Sequence, residues 1–147
     1  METIFSLSSL LVMPFWALMI FTPRFRWTQR IMKSAWVIAP AALLYFILVV
    51  PEFTAVFTEV INPSLDGIAA LLGTPSGATV GWVHFLAFDL FVGRWAYLDG
   101  LKYDISPFIM APILFFTLML GPVGFLLYMG VKTAVGRNKA AVQVSGN

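Results

Sequence analysis

The chain has 147 residues, of which 60% are hydrophobic and 11% charged, and its mean hydropathy of +0.89 reads as an integral membrane protein rather than a soluble domain. With no cysteine, disulfides, thiolate metal ligands and cysteine nucleophiles are excluded. The net charge of +2 arises from clusters near the ends of apolar runs, with no basic stripe interleaved with aromatics, so nucleic acid is not an expected partner.

The first apolar run, Ile4 to Phe21, follows the acidic Glu2 and precedes PRFRWTQRIMK. That charge order is the reverse of a secretory signal, and a retained span over about residues 4–22 is expected. The second, about residues 34–50, contains Pro40 and ends near Pro51; a proline inside a membrane helix is tolerated and usually kinks it. The connection PEFTAVFTEVINPSLDGIAALLGTPSGAT holds three acids and no base and is too polar to span. Within it, Ser64 is an expected N-cap for a short amphipathic helix over residues 64–72, ended by Gly73 and the Thr74-Pro75 turn. Leu65, Ile68, Ala69 and Leu72 recur at helical spacing, which suits a helix lying flat in the membrane interface.

The third span is expected over residues 79–98 and the fourth over residues 106–130, where Ser106 and Pro107 occupy N-cap and N1 positions and Gly121-Pro122 should bend the helix. Residues 132–147 read as a polar, flexible tail. The fold class is therefore all-α: one membrane domain over residues 1–147, a bundle of four transmembrane helices with a short interfacial helix between the second and third.

Arg24, Arg26, Arg30 and Lys33 follow the first span, and Lys102, with Arg94 nearby, follows the third; the long second connection has no base. This bias places both termini away from the cytoplasm, against the opposing charges Lys132, Arg137 and Lys139 in the tail. The chain starts directly at an apolar helix without a Ser/Arg-rich transit segment, so a bacterial inner membrane is the expected location, or a thylakoid for a processed chain.

The third span, GWVHFLAFDLFVGRWAYLD at residues 81–99, carries the only histidine and an acid near its centre. Counted from Thr79, Asp89 lies about ten residues in, or ~15 Å deep, close to the middle of a ~30 Å apolar core. An ionised carboxylate there costs about 2.5–3.5 kcal/mol even on lenient insertion scales, so Asp89 should face the protein interior and have a partner. His84, Phe88, Phe91 and Trp95 form one helical stripe, and Asp89 sits about 140° round the cylinder, beside Trp82, Phe85, Gly93 and Ala96. Gly93 would admit a neighbouring helix closely. Arg94 can snorkel from about a turn inside the cytoplasmic end, Asp99 lies at the boundary, and Trp95 and Tyr97 suit an aromatic belt. An interhelical polar contact is the alternative role for Asp89, and a satisfied interfacial histidine that for His84. A metal would need His84 with Glu52, Glu59 or Asp66; one histidine and scattered acids argue against it, and neither metal nor cofactor is predicted.

The string GWVHFLAFDLFVGRWAYLD, preceded by LDGIAALLGTPSGAT and followed by SPFIMAPILFFTLMLGPVGFLLY, resembles the abscisic-acid-deficient-four-like family, whose plant members are linked to neoxanthin synthesis. The resemblance covers roughly Leu65 to Tyr128 and is only topological over the first two spans. It implies a small multi-span membrane protein acting on carotenoids or related isoprenoids. In the plant setting, violaxanthin would become neoxanthin, an isomerisation without net redox change. Such a reaction needs an acid at the epoxide oxygen and a base at the adjoining polyene carbon, for which Asp89 and His84 are the pair implied.

Five residues separate that pair by about 7.5 Å along the axis, so a large substrate rather than a direct relay would connect them. The catalytic candidates are His84, Asp89, Asp99 and Arg94, and the substrate-binding candidates Trp82, Phe85, Phe88, Trp95 and Tyr97. Expected partners are the lipid bilayer, a carotenoid or other isoprenoid, and either a second copy of the chain or a pigment–protein complex. The competing reading is a non-catalytic module that binds a carotenoid or stabilises a pigment complex. A channel or transporter ranks third, since no inverted repeat or pair of broken helices appears. No phosphate loop, nucleophile elbow or HExxH motif is present.

Overall fold

A computed structural model describes the backbone of residues 1–145 and the side chains up to residue 137. Among the described residues the secondary structure is helical, without strands. The elements are α1 (Glu2–Phe21), α2 (Arg26–Lys33), a 3-10 turn (Ala35–Ile38), α3 (Ala39–Val49), α4 (Phe53–Ile61), α5 (Leu65–Leu72), α6 (Pro75–Lys102), α7 (Pro107–Met119) and α8 (Gly121–Ser145).

Helices α1 and α6 are long and apolar enough to cross a membrane, and a third crossing would be α2 and α3 together, bent by 79° at their junction. Large apolar side chains on these elements point outward rather than into a core, among them Leu10, Phe46 and Phe91. A soluble protein would hide such a surface, whereas acyl chains cover it without cost. The expected fourth crossing differs from one continuous helix. The chain breaks at Leu120 (φ −146°, ψ 61°), because Pro122 has no N–H to continue the ladder and its ring crowds the preceding turn. The 13 residues of α7 reach only about 20 Å.

Helix α5 occupies the residues expected of the short helix, and the Ser64 hydroxyl accepts from the Gly67 amide at 3.0 Å. The Thr74-Pro75 pair, expected as a turn, instead starts α6. Thr74 Oγ1 accepts from Gly77 N at 2.9 Å, and Pro75 takes the first helical position, where its missing N–H is harmless. The far end of α6 closes with a left-handed residue: Asp104 has φ 51°, Ile105 N donates to Gly100 O at 3.0 Å and Asp104 N to Leu101 O at 3.2 Å. This pair of nested bonds satisfies the last carbonyls of the helix. Asp104 also pairs with Arg24 at 3.0 Å.

Helices α2 and α4 lie in stretches read as connections. The side that helix α2 buries is only two residues, Thr28 and Met32, and one of them is polar, its hydroxyl bonded to that of Thr22 at 2.9 Å, so no apolar stripe stands out from the charges. Helix α8 continues through Ser145, across residues read as a tail; the Lys139 side chain and residues 146–147 of that tail lie outside the described residues.

The chain divides into two compact units. In the unit formed by residues 1–14 and 36–88, Leu48, Val80 and Val83 make a core with Leu44, Tyr45 and Val49 packed against it. In the unit formed by residues 15–35 and those from Asp89 onward, Trp16, Met19, Met32, Leu90, Tyr97, Leu114 and Tyr128 are buried.

Candidate functional site

His84 belongs to the first unit, half-buried on α6. Its ring stacks on Phe88 at 4.7 Å, one helical turn on, and meets Tyr45 of α3 edge-on at 5.3 Å and Phe85 at 6.2 Å. Among the described residues neither ring nitrogen has a hydrogen-bond or ion-pair partner, so the imidazole is held by aromatic packing alone. Trp82, on another side of α6, donates from Nε1 to Ser9 Oγ at 3.3 Å and packs on Phe5 of α1. Phe85 and Phe88 are exposed.

The three acids of the second connection are spread out. Glu52 accepts from Ser76 Oγ at 2.7 Å, and Glu59 lies against Gly67, where a Cβ would collide with its carboxylate. Among the described residues no three His, Asp or Glu side chains converge as a metal site would require.

Asp89 belongs to the second unit and is half-buried. Its carboxylate sits on Gly121, the first residue of α8, so tightly that a Cβ there would collide with Oδ1. The absence of a side chain at the α7–α8 break makes the space this acid occupies. No hydrogen bond or ion pair to Asp89 occurs among the described residues. One turn further, the Trp16 indole packs on Gly93, and the buried Nε1 of Trp16 has no hydrogen-bond partner among the described residues.

The remaining candidates are engaged. Arg94 Nε donates to Met32 O at 2.7 Å and its Nη2 to Lys33 O at 2.9 Å. The planar guanidinium thus closes the C-terminal end of α2, where carbonyls have no helical donors and cations are favoured. Snorkelling, expected of Arg94 from its depth, gives way to this contact with a helix distant in sequence. Tyr97, almost fully buried, donates its hydroxyl to Pro23 O.

Asp99 Oδ2 accepts from Tyr128 Oη at 2.7 Å and pairs with Lys132 Nζ at 2.6 Å, while Lys102 stands 3.9 Å from Oδ1. Trp95 meets Tyr128 edge-on at 5.3 Å and Phe125 at 5.9 Å, and Lys132 Nζ lies 5.5 Å above its ring. Trp95, Asp99, Tyr128 and Lys132 form one cluster that fastens α6 to α8.

The structure therefore separates the candidates by what they touch. Arg94, Asp99 and Trp95 are committed to neighbouring helices and Tyr97 to the link between α1 and α2, whereas His84 and Asp89 keep their polar atoms free of protein partners among the described residues. Sequence reasoning gave no site role to Tyr128, Lys132 or Gly121, and counted Lys132 only as a charge of the tail. The first two stand one turn apart on α8, a spacing that could have flagged a shared polar face, and Gly121 was read only as a bend.

A family model described as ABA4-like, ABA DEFICIENT 4-like, matches residues 3–128. The curated Arabidopsis thaliana protein called Protein ABA DEFICIENT 4, chloroplastic, is 28% identical over 111 residues, covering 71% of this chain and 50% of that protein. The chain thus spans about half the length of that relative. No solved structure matches.

Proposed function

The chain belongs to the ABA4-like family, and from that premise we propose that it is an integral membrane protein that acts on a carotenoid or related isoprenoid by acid–base isomerisation. The observation carrying this reading is Asp89: an acid in a long apolar helix, set against the bare backbone of Gly121 and without a protein partner among the described residues. A carboxyl placed so is costly unless it serves a bound group.

For an epoxy-xanthophyll, Asp89 would deliver a proton to the epoxide oxygen as the C–O bond opens. His84 would take the proton from the adjoining polyene carbon, whose C–H electrons form the new double bond. One proton enters and one leaves, so the product is an isomer. Phe85, Phe88, Trp82 and Trp95 would flank the polyene, and Arg94, Tyr97 and Asp99 would act as positioning residues that hold α6 in place. Four crossings are the arrangement proposed: α1; α2 with α3; α6; and α7 with the first part of α8, with α5 flat at the surface. Both termini would then face away from the cytoplasm, with the location a bacterial inner membrane or a thylakoid.

The aromatic setting of His84 supports a second reading. A histidine stacked on Phe88 and edge-on to Tyr45, beside exposed Phe85, is also the surface a non-catalytic pigment-binding module would offer.

The discriminating experiment is expression of the full chain in membranes supplied with violaxanthin and other oxygenated carotenoids, with bound and converted pigment measured separately. Under the enzyme reading a product isomer accumulates, and Asp89→Asn abolishes it while protein yield and pigment retention persist. Conversion at the normal rate by Asp89→Asn removes the acid role, and retention without any conversion selects the binding module.

A further inference from the structure

We propose that the outer face of α2 is a binding site for the headgroup phosphate of an anionic phospholipid. It shares no residue with the carotenoid site and rests on the membrane-spanning reading of α1, not on the isomerase reading. Arg26, Trp27, Gln29, Arg30 and Lys33 line a groove of about 460 Å³. Arg26, Gln29, Arg30 and Lys33 follow the i, i+3, i+4, i+7 pattern of one helical face, while Thr28 and Met32 on the other side are buried. The helix therefore cannot roll to hide its charges, and three cations point outward together.

Among the described residues no carboxylate neutralises those cations. Helix α2 contains no acid, and among the described residues none of Arg26, Arg30 and Lys33 lies within ion-pair distance of a carboxylate. Arg24, just before the helix, is the exception, being paired with Asp104. The Arg30 guanidinium rests 5.7 Å over the Trp27 ring, which orients its donor fork. A phosphodiester supplies what this groove lacks: a single negative charge with oxygens that accept two donors from one guanidinium.

The source of that phosphate follows from where the groove lies. Helix α1, apolar throughout its last three turns, ends at Phe21 five residues before α2 begins. Phe21, Phe25 and Trp27 are exposed around the start of α2, and aromatics so placed favour the boundary between acyl chains and headgroups. The groove is therefore held at headgroup height, where a lipid phosphate is the abundant anion. A loop basic only for the sake of orientation would need neither the groove nor the ordered Arg30.

The test uses the full chain purified in neutral detergent and titrated with phosphatidylglycerol, phosphatidylcholine or inorganic phosphate, with bound lipid counted by native mass spectrometry. Phosphatidylglycerol should be retained about tenfold over phosphatidylcholine, and equimolar inorganic phosphate should not displace it. The triple substitution Arg26→Gln, Arg30→Gln, Lys33→Gln should bring the two lipids to parity. If that variant does not yield folded protein, Arg30→Gln alone should reduce the preference about threefold. Equal retention of both lipids by the unaltered chain, an undiminished preference in the variant that folds, or displacement by inorganic phosphate would each overturn the proposal.

Discussion

The carboxylate of Asp89, in the middle of α6, rests on Gly121, the residue at which α8 begins. Neither residue explains itself alone: an acid in an apolar helix needs room and a glycine beside a helix break leaves it. A methyl group at position 121 would meet Oδ1. Gly121→Ala should lower stability by about 1–3 kcal/mol, the usual cost of overfilling a packed site. In thermal melts of detergent-purified protein, Asp89→Ala combined with Gly121→Ala should recover at least half of that loss. Strict additivity of the two changes would show that the side chains do not share this space.

Gly93 presents the same geometry to a different neighbour. The Trp16 indole, about 1% exposed, covers its Cα. Gly93→Ala should cost about 1–3 kcal/mol, and the smaller ring of Trp16→Phe in the same chain should restore part of it. Unchanged melting of Gly93→Ala would mean that the indole can move aside freely.

Arg94 spans two carbonyls, Met32 O and Lys33 O, that no helical N–H reaches. A lysine keeps the charge and loses the fork, so Arg94→Lys should retain less than half of the contribution measured with Arg94→Gln. Hydrogen exchange localises the effect: amides of α2 should exchange faster in both variants, while those of α5 remain unchanged. Equal protection of α2 in all three chains would remove the capping role.

Tyr128 and Lys132 converge on Asp99 Oδ2, whereas Lys102 approaches Oδ1 only to 3.9 Å with an exposed side chain. Tyr128→Phe removes a hydrogen bond to a charged group and should cost about 1.5–3 kcal/mol. Lys102→Gln, a surface change, should stay within about 0.5 kcal/mol of the unaltered protein. Asp99→Asn should lower the melting temperature further than Lys102→Gln. The reverse ranking would place the anchoring of α8 on the exposed pair.

Ser64 offers a local control. Its hydroxyl caps α5 through Gly67 N, and Ser64→Ala should cost about 0.5–2 kcal/mol. The loss should appear as faster amide exchange within Leu65–Leu72. Protection there equal to that of the unaltered chain would deny the cap its role.

What could be read from the sequence was whatever neighbouring residues decide among themselves. The all-helical class, the apolar runs of α1 and α6, the Ser64-capped helix and the interruption at Gly121-Pro122 follow from hydrophobic spacing, side-chain caps and a missing N–H, all of which act within about one helical turn. The family, too, was legible, because the spacing of His84, Asp89, Gly93, Arg94, Trp95 and Asp99 is linear information. Helix α2 was not, since the side it buries is only Thr28 and Met32 and is defined by what packs on it; helix α4, which buries no residue, was hidden among the acids and threonines of its stretch.

Tertiary structure alone decided which polar residues of α6 are occupied. From their depth, Arg94 and Asp99 look free to reach water and Asp89 looks bound to need a partner; packing reverses that order. Arg94 finds carbonyls 62 and 61 residues earlier in the chain, Asp99 finds Tyr128 and Lys132, and Asp89 is left beside a glycine. The reason is that helical periodicity specifies the direction in which a side chain points. Only the packing of a second helix specifies what it meets there.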